Sequence, residues 1–299
     1  MNEVAGEPRF AMLETIREFA IELLVETGEA ETIRQRHCLY YLELAEKANL
    51  DMRGPREASW LDRLDVEHEN LRAALGSSIE RNQSETALRL GAAMRLFWGV
   101  RGYWSEGRYW LELALAKPQR NLAKEPESTQ LRANALYALG YLAWLQTDYV
   151  QEMASCEESL ALCREIGDKR GIAMALNAIG ATADTQDDYA RATSLYNESL
   201  ALSREVGDKR GIALTVDSVA ALATRKGQWE RAVRLFGAAQ AFFEATQARR
   251  NPADQRDYEE RLAIARAALS DTAYAALWAE GQVMTPERVI SYALEEDGA

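Results

Sequence analysis

The sequence predicts an all-α solenoid of antiparallel helix pairs, and three observations carry that prediction. The stretch Glu158–Ala173 returns forty residues later as Glu198–Ala213, identical at fourteen of sixteen positions; only Cys163 becomes Ser203 and Ile166 becomes Val206. A period of this length marks stacked units that each bury a face against their neighbours. Six prolines and eighteen glycines in 299 residues are few, which suits helices. Alternating β-branched runs are missing, so almost no sheet is expected.

Taken in order, residues 10–27 read as an amphipathic helix, with Phe10, Leu13, Ile16, Phe19, Leu23 and Leu24 at spacings of three and four, closed by Gly28. A second helix runs over 29–49 through Ile33, Cys38, Tyr41, Leu42 and Ala45, and Gly54-Pro55 breaks the chain. A third spans 58–80, a fourth 85–100 and a fifth 105–116. The polar stretch 117–128, with Pro118 and Pro126, is the clearest internal break.

From Thr129 the forty-residue step takes over: Gly140, Gly180 and Ala220 align, as do Tyr149, Tyr189 and Trp229. Each unit is a helix pair, its first helix near 168–185 and its second near 189–206. At Gly167-Asp168 and Gly207-Asp208 the glycine closes one helix in the left-handed conformation and the aspartate caps the next. Small residues such as Gly180, Ala183 and Ala192 let paired helices approach, and the aligned aromatics are expected to plug the gap between pairs. After Ala248, Arg249-Arg250-Asn251-Pro252 reads as a loop. Helices over 254–269, 272–280 and 286–294 would cap the end, with 295–299 frayed. The expected division is 1–50 for entry helices, 51–117 for atypical repeats, 118–248 for three forty-residue units and 249–299 for the cap.

Charge narrows the function. With 35 Lys and Arg against 47 Asp and Glu, the net charge is −12, so neither nucleic acid nor an anionic membrane surface is the expected partner. Cys38, Cys156 and Cys163 are odd in number and form no Cys-x-x-Cys, which fits free thiols in a reducing cytoplasm. Nothing resembles a signal peptide or the ~20 apolar residues of a membrane helix.

The pattern Leu139-Gly140…Asp148-Tyr149, Ile179-Gly180…Asp188-Tyr189-x-x-Ala192 and Gly227-x-Trp229-x-x-Ala232 resembles the tetratricopeptide repeat in its roughly forty-residue form; Glu152 and Ala220 depart from it. The flanks Glu7–Ala20, Arg36–Ala45, Leu61–Leu75, Trp229–Ala239 and Trp278–Gly281 resemble the C-terminal half of bacterial STAND-class regulators of the AfsR-like and LuxR-like type. In those, an NB-ARC-type ATPase and a winged-helix segment precede a helical sensor. The resemblance implies a right-handed TPR-like superhelix whose first helices line a concave face. It also implies that 10–27 is the last winged-helix helix. No Gly-x-x-x-x-Gly-Lys-Ser/Thr is present, so ATPase activity is not carried over and the chain reads as the sensor half.

Candidate chemistry is sparse. His37 and His68 are too far apart to suggest a metal site, and surface or capping roles are expected for them. No catalytic motif, metal site or cofactor site is expected. Lys169-Arg170 and Lys209-Arg210 form either a periodic basic strip or solvated first-turn residues. By alignment to the repeat, the groove candidates are Asn134, Tyr137, Tyr141, Trp144, Asn177, Asp184, Asp217, Thr224 and Arg225, joined by Arg89 and Trp98 (with Phe97) from the preceding pair. Aromatics mixed with amides and arginine are what binding surfaces enrich; the opposing reading is that several, Phe97 and Trp98 above all, pack between helices.

The expected function is a non-catalytic sensor of a bacterial signal-transduction or transcription regulator. It would bind a peptide, a protein segment or a small-molecule effector in the groove. By population shift it would pass occupancy to an ATPase/DNA-binding module in cis or in trans. A stand-alone scaffold that docks proteins or self-associates is the alternative.

Overall fold

A computed structural model describes residues 2–4, 7–9, 13–117, 126–250 and 252–295. The expected start of the first helix at 10–12, most of the polar stretch 117–128 and the tail 296–299 lie outside them. A hairpin of β1 (Asn2–Val4) and β2 (Glu7–Arg9) opens the chain, with Asn2 opposite Arg9. It is the only sheet among the described residues, in keeping with the expectation of almost none; strands of three residues are too short for alternation to register.

Helices follow: α1 (Glu14–Glu26), α2 (Ala30–Asp51), α3 (Glu57–Val66), α4 (His68–Glu80), α5 (Ser84–Arg101), α6 (Trp104–Ala116), α7 (Pro126–Leu145), α8 (Tyr149–Ile166), α9 (Lys169–Thr185), α10 (Tyr189–Glu205), α11 (Lys209–Arg225), α12 (Trp229–Thr246), α13 (Pro252–Ala267), α14 (Asp271–Gln282) and α15 (Pro286–Leu294). The helix expected over 58–80 is two, broken at Glu67 (φ −93°, ψ 4°). Its carboxylate accepts bonds from the Tyr41 hydroxyl (2.9 Å) and the Asn70 amide (2.7 Å).

From α7 to α12 consecutive helices pack in pairs, and each pair stacks on its neighbour: α7 with α8, α9 with α10, α11 with α12. This is the stacked arrangement of a helical solenoid. The repeated stretch fixes the stack. Gly167 and Gly207 take φ of 72° and 65°, the left-handed closure that only glycine adopts without strain. Asp208 accepts the Gly211 amide at 3.1 Å, whereas Asp168 makes no such cap and lies against Gly171 outside bonding geometry. A Cβ on Gly211 would come within 2.8 Å of Ser203 Oγ and 3.0 Å of the Asp208 carboxylate, so glycine is needed there. The hydroxyls of Ser159 and Ser199, forty apart, each donate to a first-helix carbonyl at 2.8 Å, Ala133 and Ala173.

The core forms three clusters along the chain, around Phe97, Trp98 and Leu111, around Cys156, Leu160 and Leu176, and around Tyr196, Val216 and Phe236. All three cysteines are buried and free. The aligned aromatics are half-buried: Tyr189 and Trp229 pack on the core, but Tyr149 faces an internal cavity. On α1, Ile16, Phe19 and Leu23 stay largely exposed, an uncovered apolar face. Among the described residues, no helix is long and apolar enough to cross a membrane.

The tail does more than cap the end. α14 packs on α12, and α15 on α10, α11 and α12, but α13 turns back across α11 and α12. The loop before it reaches the opposite end of the stack, where the Arg249 amide donates to the Arg53 carbonyl at 3.1 Å. This bond ties the α12–α13 loop to the α2–α3 loop and so brings two distant segments of the stack together.

Candidate functional site

The stacked helices and the α2–α3 loop surround a cavity of about 410 Å³. The first helices α5, α7, α9 and α11 share its lining; Arg53 stands at one edge and Tyr258 and Arg261 of α13 at the other. Helical periodicity explains the sharing. On α7, Tyr137, Tyr141 and Trp144 are four and three apart; on α9, Met174, Asn177, Ala178 and Ala181 recur the same way. The small Ala178 and Ala181 leave the space open.

Of the groove candidates, the structure brings together Tyr137, Tyr141, Trp144, Asn177, Asp184, Asp217 and Arg225. Four lie elsewhere. Trp98 is wholly buried with Phe97, packed where a Cβ on Gly107 would come within 2.7 Å of its ring, so it is core. Thr224 is buried and donates to the Ala220 carbonyl at 3.0 Å. Asn134 is exposed and accepts from Gln130 at 3.1 Å. Arg89 is taken by Glu46 (2.8 and 3.0 Å) and Glu85 (3.2 Å) beside a separate shallow depression. His68, expected at the surface, is buried against Phe97 and Tyr103 and bonds Glu106 at 2.8 Å.

The cavity is electrically divided. At one end Asp184 meets Arg225 (3.2 Å) and Arg261 (4.0 Å). Beside it Arg250 holds Asp217 in a two-pronged bond of 2.7 and 2.9 Å, with its guanidinium 3.7 Å from the Tyr258 ring centre. Burial pushes the Asp217 carboxyl up against the opposing pull of Arg250, and pushes Asp184 up against Arg225 and Arg261. At the other end stand Arg53, Arg95, Arg170 and Arg210. Arg95 lies over Tyr141 (4.6 Å) and Tyr137 (5.3 Å), and Arg170 pairs with Asp208 at 2.8 Å. Asn177 bridges to Thr215 (3.2 Å) and Ser218 (3.1 Å), tying α9 to α11.

Glu152, which occupies a small-residue position of the repeat, is 1% exposed. One carboxyl oxygen accepts the Thr182 hydroxyl at 2.5 Å and the other has no hydrogen-bond partner. Burial pushes its pKa from 4.5 up to about 7. The folded state thus holds this proton more tightly than the unfolded chain. The associated stability is complete below about pH 4.5 and is lost as pH rises through about 7, a change on the order of 3 kcal/mol by pH 8. Glu152→Gln is expected to raise the unfolding free energy by about 2 kcal/mol at pH 8 and to change it little at pH 5. Urea unfolding at the two pH values measures this, and an unchanged value at pH 8 would refute it.

Sequence reasoning missed Arg53, Arg95 and the α13 residues Tyr258 and Arg261. The recurrence of Arg170 and Arg210 was a visible signal for one end. The others come from segments that only the assembled fold brings together, and no local pattern marks them.

No family model matches the chain. Over 150 residues, half of this chain, it is 31% identical to proteins of Mycobacterium bovis and Mycobacterium tuberculosis that carry the provisional name HTH-type transcriptional regulator. That stretch is 17% of each of them, so the chain spans less than a fifth of the relatives it matches. Over half its length the chain is therefore distantly similar to regulator proteins, and its stacked helices fit a helical repeat region of such a regulator.

Proposed function

We propose that the chain is the non-catalytic sensor module of a transcription regulator, a tetratricopeptide-type solenoid of the STAND class that binds an effector in its central cavity. The observation that carries this reading is the cavity itself. Seven residues singled out as a binding groove converge on one space of about 410 Å³, within the ordinary range for a small-molecule site. Two further features support it: the distant similarity to regulator proteins, and the apolar face of α1, which suits a neighbouring module. An effector would bias the arrangement in which the two loops are joined over an opened one, and the ends of the stack would carry that shift to the ATPase/DNA-binding module, in cis or in trans.

Nile red, a neutral planar dye, is the probe. One dye per chain is expected to bind with a fluorescence increase. Ala181→Trp, which places an indole in the space, is expected to weaken binding at least tenfold while the urea midpoint stays near wild type. Equal dye binding by a folded Ala181→Trp chain would show that the cavity is not the binding site.

A further inference from the structure

The cavity gathers positive charge in a chain that is otherwise strongly acidic. Six arginines line it against five carboxyl groups, Glu152, Asp184, Asp208, Asp217 and Asp257, although the net charge of the chain is −12; burial raises the Glu152 carboxyl toward its neutral form. The carboxylates of the opposite end are already matched: Asp217 by Arg250, Asp184 by Arg225 and Arg261, and Asp257 by Arg261 at 3.0 Å. Asp208 takes Arg170 and also caps α11. Arg53 has no such match. Its side chain forms no ion pair among the described residues, and its Nε is buried without a hydrogen-bond partner. A guanidinium carries five donors in a planar fork suited to phosphate and carboxylate, and leaving it unmet beside other cations is costly.

We propose that the end of the cavity formed by Arg53, Arg95, Arg170 and Arg210 binds a phosphate-bearing small molecule, whose uncharged planar part lies along Trp144, Met174 and Ala178. The proposal rests on the sensor reading of this cavity. The four arginines come from four separate segments (the α2–α3 loop, α5, α9 and α11), and Arg170 already pairs with Asp208. A group with several charged oxygens can accept from several at once. Burial, and then the charges of Arg95, Arg210 and Arg170, already bring the Arg53 pKa down to about 10. Their mutual repulsion is what a bound polyanion would relieve. The apolar side chains beside them give a second, uncharged contact, so the fitting ligand has two parts. Binding would also draw Arg53 toward α9 and α11, and so hold the two loops together.

Calorimetric titration with pyrophosphate, ADP and adenosine tests this, with Nile red binding measured on every variant. Pyrophosphate is expected to bind one per chain, ADP tighter, and adenosine at least tenfold weaker than ADP. Arg53→Gln and Arg210→Gln are each expected to weaken pyrophosphate and ADP about tenfold while leaving Nile red binding in place. Retained dye binding with no pyrophosphate binding, or pyrophosphate binding that both variants keep at wild-type strength, would overturn the phosphate assignment and leave the sensor reading standing. Loss of both probes in the wild-type chain would overturn both.

Discussion

Arg250→Met is expected to lower the unfolding free energy by about 3–5 kcal/mol, the usual cost of removing one partner of a buried ion pair. Arg250 is 7% exposed and carries three loads at once. It neutralises Asp217 through two bonds, donates to Gln240 at 2.9 Å, and lies over the rings of Tyr258 and Phe243. Without it the Asp217 carboxylate stays in the interior with no counter-charge. The double change Arg250→Met with Asp217→Leu removes the stranded charge and is expected to recover to within about 1 kcal/mol of wild type, since apolar replacement of a buried pair is near neutral. Urea unfolding of the four members of this cycle measures the coupling. Additive losses would show that the pair is not what holds the α12–α13 loop.

Gly281→Ala is expected to cost at least about 3 kcal/mol, a large effect for one methyl group. A Cβ at Gly281 would fall on the backbone carbonyl of Arg234 and come within 3.1 Å of the Ala238 amide nitrogen. Across the same contact, a Cβ on Gly237 would lie 2.6 Å from the Trp278 carbonyl. The two helices α12 and α14 therefore touch backbone to backbone through a glycine on each side. No side chain at this contact can swing away, so α14 must shift as a body. Gly102→Ala is the comparison: its Cβ would meet nothing within 4 Å, and only its φ of 79° opposes the change, so a loss of about 1 kcal/mol is expected. Thermal unfolding ranks the two, and a Gly281→Ala chain as stable as wild type would show that α14 is not packed at this distance.

The repeat was legible because its signals are local. The forty-residue step, the Gly-Asp turns and the spacing of Tyr137, Tyr141 and Trp144 can all be read from neighbouring residues and repeats; both glycines take the left-handed conformation, but only Asp208 of the two aspartates caps its helix. What failed did so where tertiary contact overrides local pattern. Glu67 leaves helical geometry for partners on α2 and α4. Trp98 looks like a groove aromatic by spacing, yet it is enclosed between α5 and α6. The tail misled for the same reason. An amphipathic helix after a loop reads as a cap, and nothing in residues 252–267 tells that the helix folds back over the stack. Arg53 and Arg250 sit in loops, where periodicity is silent and only the assembled fold assigns a partner.

The bond from the Arg249 amide to the Arg53 carbonyl changes what kind of polymer this is. A linear stack of repeats behaves as a one-dimensional chain in which each unit knows only its neighbours, so its terminal units fray first and unfolding spreads inward. Joining positions 53 and 249 gives an early and a late segment of the stack a shared boundary and closes a long loop. The entropy of that closure is met last, after the intervening pairs have formed. The cavity then belongs to no single repeat: it exists only while the two segments are in register, which makes the state of that contact and the state of the cavity one variable.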